Sequence, residues 1–463
     1  MISLHPDQTE MLDRTVASMR AGNRNVLLQM PTGSGKTVVA SEIVRRATAK
    51  GSKTWFLVPR KELLRQTSAT YRQFGLRHTY IASGYHYNPY AYTAICSTET
   101  VKRRLDGLAT PNLAIIDELH YGGAGLDTII KWLKERGAFI VGLTATPWRL
   151  SGQGLGCWMD DMVDGPSIKW LIDNRRLSGY RAYAPSAPDL SGVGKTAGDY
   201  SKGQLDERMR ADRVLIGNAV SHYKQHAMGR LCVAYCVSVA HAEQVAEAFR
   251  EQGVPAAAMD GTTPDEVRKH LIGQFADRKL MVLTNCDLLT FGFDLAAQVG
   301  RDVTVEVMSD LRPTKSLALQ MQKWGRVLRR KDDPAQIFDH AGNIAEHGMP
   351  CEDRPWSLSD WKTKGERGGV ERSLPVRQCS NCFFCHKPSP SCPSCGYVYP
   401  VDSRKIDEID GMLAEIKEAQ ARKSKSMEVG MARTIDDLRR IAKERGYKSG
   451  WIYKQAQIKG IRV

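Results

Sequence analysis

The stretch from Leu27 to Val44, "LLQMPTGSGKTVVASEIV", runs from a hydrophobic strand through a glycine turn into an amphipathic helix. Gly33 and Gly35 let the backbone curl so that successive N–H groups point inward, and the helix start adds its partial positive charge. The result is a cradle for phosphate. Pro31, Thr32, Gly33, Ser34 and Gly35 form the loop, Lys36 can reach terminal phosphates, and the Thr37 hydroxyl is placed to ligate Mg²⁺. Met30 stands where the full pattern G-x-x-x-x-G-K-[ST] has its first glycine. The use made of the phosphate must therefore be read from the rest of the chain.

The 463 residues are enough for about three domains with full cores, and 25% charged residues fit a globular chain. No apolar run reaches membrane-spanning length, and "MISLHPDQTE" lacks a signal-peptide core, so an intracellular, cytoplasmic protein without a membrane partner is expected. The net charge of +15 predicts a polyanionic partner, nucleic acid before any lipid surface. Residues 351–463 hold 22 Lys and Arg against 15 Asp and Glu, which makes the tail the more cationic part per residue.

Apolar runs "NVLLQM", "TWFLVP", "LAIIDE" and "FIVGLTATP" alternate with helical patterns, which implies a parallel α/β sheet buried on both faces. The pattern then repeats with "YRAYAP", "LCVAYC", "LMVLTN" and "VTVEVM". Two similar lobes leave a cleft between them. The expected divisions are a first lobe at 1–150, a connector at 151–178, a second lobe at 179–350 and a linker at 351–377. A cysteine module at 378–400 and a basic helical tail at 401–463 follow, the tail with apolar spacing from Ile406 to Ile416 and a capping-box start at Thr434 and Asp437.

"LAIIDELH" ends a strand in Asp117 and Glu118, two carboxylates at the carboxyl edge of a parallel sheet, where ligands bind. Asp117 suits Mg²⁺, and Glu118 suits a water that attacks phosphorus. In "CSNCFFCHKPSPSCPSCG", Cys379/Cys382 and Cys392/Cys395 form two C-x-x-C knuckles nine residues apart, the spacing of a tetrahedral Zn²⁺ site. Cys385 and His386 rank below those four. Such a module grips nucleic acid or a protein, or only staples its own chain. In "KERGYKSGWIYKQAQIKG", cations and aromatics interleave as a nucleic-acid contact needs, although Tyr447, Trp451 and Tyr453 could equally be the core of a small helical domain.

"MPTGSGKT", "DELH", "GLTATP" and "QKWGRVLRR" (Gln322–Arg330) resemble, in order and spacing, the motif set of DExH-type superfamily II helicases and translocases. More narrowly, they resemble phage- and prophage-encoded members related to double-strand-DNA repair and transcription translocases. The resemblance covers roughly residues 1–350 and implies two tandem RecA-like P-loop NTPase domains with parallel sheets, followed here by the zinc ribbon and small helical domain. It implies that Gln8 in "LHPDQ" reads adenine, and that Arg60 in "VPRKELLRQ" and Thr98 in "STET" contact a nucleic-acid strand. His120, Thr144 and Thr146 would couple hydrolysis to lobe movement, and Gly292 and Asp294 in "LLTFGFD" would approach nucleotide and strand. Phe291 stands where relatives usually carry glutamate. Gln322, Arg326 and Arg329 would complete the ATP site from the second lobe, the arginines as fingers that neutralise charge on the transferred phosphoryl group. ATP, Mg²⁺ and Zn²⁺ are the implied cofactors, and duplex or branched DNA the implied substrate of an ATP-dependent helicase. An RNA helicase, or an ATP-switched DNA-binding factor that never unwinds, would use the same set.

Overall fold

A computed structural model describes residues 3–149, 152–185, 187–196, 198–288, 295–360, 376–400, 432, 434–447, 449–459 and 461. Residues 361–375 of the linker expected at 351–377 and the Ile406–Ile416 helix lie outside these residues, as do Gly292 and Asp294. Contacts divide the chain into two units, Met1–Tyr397 and Val398–Val463.

The first unit holds two parallel sheets. In the first lobe the strands are β1 (Asn25–Gln29), β2 (Thr54–Val58), β3 (Thr79–Ile81), β4 (Thr93–Ser97), β5 (Leu113–Ile116), β6 (Phe139–Thr144) and β7 (Asp161–Asp164). Their order is β3-β4-β2-β5-β6-β1-β7, and every pair is parallel. β1, β2, β4 and β5 are buried along their whole length, because helices cover both faces of the sheet. β7, "DMVD", is an edge strand with an acid at each end, so it reads as loop in the sequence, yet it pairs with β1. The first sheet thus runs to Asp164, into the stretch expected to be a connector.

The second lobe has β8 (Tyr180–Tyr183), β9 (Cys232–Tyr235), β10 (Ala256–Met259), β11 (Val282–Asn285), β12 (Val307–Asp310) and β13 (Ala335–Asp339), in the order β10-β11-β9-β12-β13-β8, again all parallel. β10, "AAAM", and β13, "AQIFD", carry too little β-branched character to be read from sequence. Within the run "VTVEVM" only the end from Val307 joins the sheet. The helix Leu317–Val327 is buried from Ala318 to Val327. A buried ion pair fixes it there: Lys323 Nζ donates to both Asp310 oxygens at 2.7 and 2.8 Å, and Gln320 and Asn343 donate to the same carboxylate at 3.0 and 2.9 Å. The pair is isolated from water, and the extra donors satisfy the charge that burial would otherwise leave costly.

After the second lobe the chain crosses back to the first. Trp356 packs against the second lobe's core and meets Trp148 of the first at a tilt, ring centroids 5.0 Å apart, while Leu358 joins the first lobe's cluster. Trp148 Nε1 donates to Ser359 O at 2.8 Å, Gly156 N to Leu358 O at 2.9 Å, and Gly154 N to Asp360 Oδ1 at 2.8 Å. This strap adds a second crossing between the lobes. Then follow the short antiparallel strands β14 (Arg377–Gln378) and β15 (Cys385–His386). They sit on the second lobe, where Ala184 N donates to Phe383 O at 3.0 Å and Phe384 meets Tyr183 edge-on.

The second unit contains the helices Ile435–Arg445 and Ser449–Lys459. Thr434 Oγ1 accepts from Asp437 N at 3.2 Å and Thr434 N donates to Asp437 Oδ2 at 3.0 Å, the reciprocal cap legible in the sequence. Leu438, Ile441 and Ala456 form its core with Trp451 and Ile452 against them, whereas Tyr447 and Tyr453 are exposed. Among the described residues no helix is long and apolar enough to cross a membrane.

Gly154 has an extended backbone that alanine tolerates, yet a Cβ there would overlap the carbonyl of Leu358. Gly154→Ala should therefore lift the strap at a cost of about 1–3 kcal/mol. The bond after Trp356, a residue otherwise packed on the second lobe's core and against Trp148, should then be cleaved by chymotrypsin on the order of tenfold faster. An unchanged digestion rate at that bond would show that the strap does not hold the lobes.

Candidate active site between the lobes

The order β5-β6-β1 sets three chemical segments side by side at one carboxyl edge of the first sheet. β1 feeds the phosphate loop, β5 ends in Asp117-Glu118, and β6 ends in Thr144. Gly33 and Gly35 adopt left-handed φ angles of 88° and 92°, the conformation that glycine takes without cost. Gly35 is constrained a second time, since a Cβ would overlap the Gln8 amide. Gln8 is seated by His5 N, which donates to its Oε1 at 3.1 Å, and its Nε2 donates to Ser34 O at 3.1 Å. The residue expected to read adenine thus lies against the loop. Lys36 is buried, its Nζ donating to Met30 O at 3.3 Å, and Thr37 follows in the first turn of the helix.

The acidic pair is under electrostatic stress. Burial, then the like charge of Glu118, pushes the Asp117 carboxyl up to about 7 against the pull of Lys36. Glu118 has φ 49°, a left-handed angle rare outside glycine, and its buried Oε2 lacks a hydrogen-bond partner although His120 Nδ1 is 3.5 Å away. Two neighbouring carboxylates, Asp117 with its raised pKa and Glu118 with its orphaned oxygen, form a site short of positive charge. The donor set fits Mg²⁺, which Thr37 and Asp117 would hold.

The second lobe closes on this edge. A Cβ on Gly325 would overlap the Thr32 side chain, and one on Gly33 would lie 3.2 Å from Leu177 and 4.0 Å from Arg329 Cγ. Arg326, buried, and Arg329 line one cleft with Tyr235. Hydrogen bonds also cross between the lobes. Gln322 Nε2 lies 3.0 Å from His120 Nε2, and Tyr121 Oη donates to Gln322 Oε1 at 2.6 Å. His120 Nδ1 lies 2.9 Å from Thr144 Oγ1, which donates to Thr146 O at 2.6 Å. Burial holds the His120 imidazole down near 4 despite the nearby Glu118 charge, so it is neutral at physiological pH.

Arg60 and Thr98 lie on the far side of β5, with Arg60 near enough to Tyr121 to act on its hydroxyl electrostatically. They follow the paired strands β2 and β4, and Thr98 Oγ1 donates to Val58 O at 2.9 Å, two residues before the exposed Arg60. The structure thus brings them together on one ledge. Sequence reading passed over Tyr121 and Arg176. The second reaches Asp7, beside Gln8, at 3.4 Å. Tyr121's position directly after "DELH" was the available signal, whereas nothing local marks Arg176.

The Sγ atoms of Cys379, Cys382, Cys392 and Cys395 all lie within 4.8 Å of one another, and two pairs are 3.7 Å apart. A tetrahedral Zn²⁺ with bonds of about 2.3 Å spaces its sulfurs about 3.8 Å apart, so the four thiols fit it. Cys385 instead points into the second lobe's core.

A family profile described as "Type III restriction enzyme, res subunit" matches residues 1–149, and one described as "Helicase conserved C-terminal domain" matches residues 214–331. The 51.5 kDa protein of Lactococcus phage (isolate 7-9) is 33% identical over 384 residues, covering 82% of this chain and 79% of that one. The putative ATP-dependent helicase IRC3 of Saccharomyces cerevisiae is 28% identical over 357 residues; 72% of this chain is covered, and 51% of that protein, so the chain spans about half its length. Among solved structures, the ATP-dependent Type ISP restriction-modification enzyme LlaBIII bound to DNA shares the fold, with a TM-score of 0.52 at 13% identity over 73% of this chain and 27% of that one.

The sulfur geometry sets an expectation for metal content. The purified chain should carry about one equivalent of zinc, and Cys382→Ser should reduce this below about a tenth, read by elemental analysis. Full retention of zinc by the variant would remove Cys382 from the ligand set.

Proposed function

We propose, from a chain that belongs to the superfamily II helicases, that it is an ATP-driven motor on duplex or branched DNA, moving along it and separating or remodelling strands. The observation that carries this reading is the contact between lobes. His120 of "DELH" hydrogen-bonds Gln322 of "QKWGRVLRR", while the helix bearing Arg326 abuts the phosphate loop. A site completed only when the lobes meet couples hydrolysis to their movement.

In this reading the loop from Pro31 to Gly35 and Lys36 hold the phosphates, Gln8 holds the adenine, and Thr37 and Asp117 hold Mg²⁺. The metal supplies charge neutralisation at the phosphates when bound. Glu118 orients the attacking water and accepts its proton, and its partnerless Oε2 is available for that role. Arg326 and Arg329 bring positive charge from the opposite lobe, while His120, Thr144 and Thr146 transmit closure. Gly292 and Asp294 keep the roles that the family resemblance implies. Arg60 and Thr98 hold the strand's phosphates on their shared ledge.

DNA is favoured over RNA by the restriction-enzyme profile across the first lobe, while the net charge of +15 suits either polyanion. The zinc module, seated on the second lobe, and the helical pair with its exposed Tyr447 and Tyr453 are the further surfaces offered to DNA or a protein.

ATP hydrolysis measured at one salt concentration with single-stranded, duplex, forked and four-way-junction DNA, and with matched RNA, tests the substrate. Stimulation by duplex or branched DNA is expected. Stimulation by RNA alone would overturn the DNA reading, and DNA-dependent turnover without displacement of a third strand would remove translocation. Glu118→Gln should lower turnover on the order of 10²–10⁴-fold while ATP still binds. Normal turnover in that variant would place the base elsewhere.

A further inference from the structure

The hydrogen bonds that cross the cleft admit a single placement of their protons. Thr144 has one hydroxyl proton, and it is directed to Thr146 O at 2.6 Å. Toward His120, Thr144 Oγ1 can therefore only accept, as it also does from Thr146 N at 3.1 Å, so Nδ1 of His120 carries the hydrogen. In the neutral ring Nε2 is then a bare acceptor, and it faces Gln322 at 3.0 Å. Only the amide's NH₂ end can satisfy it. The carbonyl end is thereby turned toward Tyr121, whose hydroxyl donates to it at 2.6 Å. The donors run one way: Tyr121 to Gln322, Gln322 to His120, His120 to Thr144, Thr144 to Thr146.

We infer that Tyr121 is a positioning residue of the ATPase: its hydroxyl fixes which way the Gln322 amide faces, and thereby keeps the second lobe's donor aimed at His120. A glutamine amide has two nearly isosteric orientations, and nothing in its shape chooses between them. The reversed one would set Gln322 Oε1 against the lone pair of His120 Nε2, which breaks the link between the lobes. Tyr121 is suited to prevent this because it is held itself. It is the next residue after His120 in one short helical turn, Leu119–Tyr121, and its ring lies 4.3 Å from the imidazole. One segment of the first lobe therefore offers Gln322 an acceptor and a donor at a fixed separation, and an amide is the group that matches both. This explains why a tyrosine directly behind "DELH" belongs to the machinery although it touches neither phosphate nor metal ligand.

The inference rests on the two-lobe ATPase reading, and a double-mutant cycle on basal ATP hydrolysis of the full chain tests it separately. Tyr121→Phe keeps the ring and removes one hydroxyl, so its thermal midpoint should match the parent. It should lower kcat about fivefold, the equivalent of one hydrogen bond, with KM for ATP unchanged. Gln322→Ala should cost more. Once it is made, adding Tyr121→Phe should cost nothing further, because no amide remains to be oriented. Single-turnover measurements keep the slow variants readable. Effects that multiply, or a parental kcat in Tyr121→Phe, would overturn the role of Tyr121. If Glu118→Gln also hydrolysed ATP normally, the failure would belong to the active-site reading instead.

Discussion

The two lobes meet where no side chain can be added. Gly325 lies over the Thr32 side chain, which an added methyl group would overlap, and Gly33 lies under the Leu177 side chain, 3.2 Å from where a Cβ would be, so glycine backbone meets side chains of the opposite lobe across the cleft. All else in the site depends on this approach. Arg329 comes beside the phosphate loop at Gly33, and Gln322 reaches His120 from the helix that rests on the loop at Gly325. Under the proposed function, close approach makes hydrolysis conditional. The first lobe holds the loop and the acids, the second holds the arginines, and neither set is complete alone.

The same unit contains two buried carboxylate clusters of opposite character. Asp310 is surrounded by donors: Lys323 twice, Gln320 and Asn343. Every lone pair on it has work, and the cluster pins the helix that carries Gln322, Arg326 and Arg329. Asp117 and Glu118 are the reverse. They lie next to each other, one with a raised pKa and the other with an oxygen left bare. A fold tolerates such stress where a ligand will relieve it, which separates the acids that hold the structure from those that act in it.

Two appendages extend the second lobe beyond the motor core. The strap through Trp356 and Leu358 returns to the first lobe beside the segment that follows Thr146, and the cysteine hairpin settles on Tyr183 and Ala184. The strap ties the lobes at a second place, through Trp148, Gly154 and Gly156. The hairpin, in contrast, rests on the second lobe. A partner held by its zinc knuckles would be carried with that lobe through the cycle.

The phosphate loop, the Asp-Glu pair, the four zinc cysteines and the repeated α/β pattern were legible in the sequence because each is a local matter. Glycine at a left-handed turn, apolar strands buried on both sides and thiols at knuckle spacing are dictated by residues a few positions apart. Edge strand β7 and the alanine-rich β10 were not legible, since only a neighbouring strand makes them strands. Nor were the strap, the Asp7–Arg176 contact and the part played by Tyr121, whose partners lie between 150 and more than 200 residues away. Pairings over such distances have no periodicity to betray them. Sequence supplied the chemical groups, and tertiary structure alone decided which of them face one another, because a hydrogen bond depends on where two atoms lie in space and not on how much chain separates them.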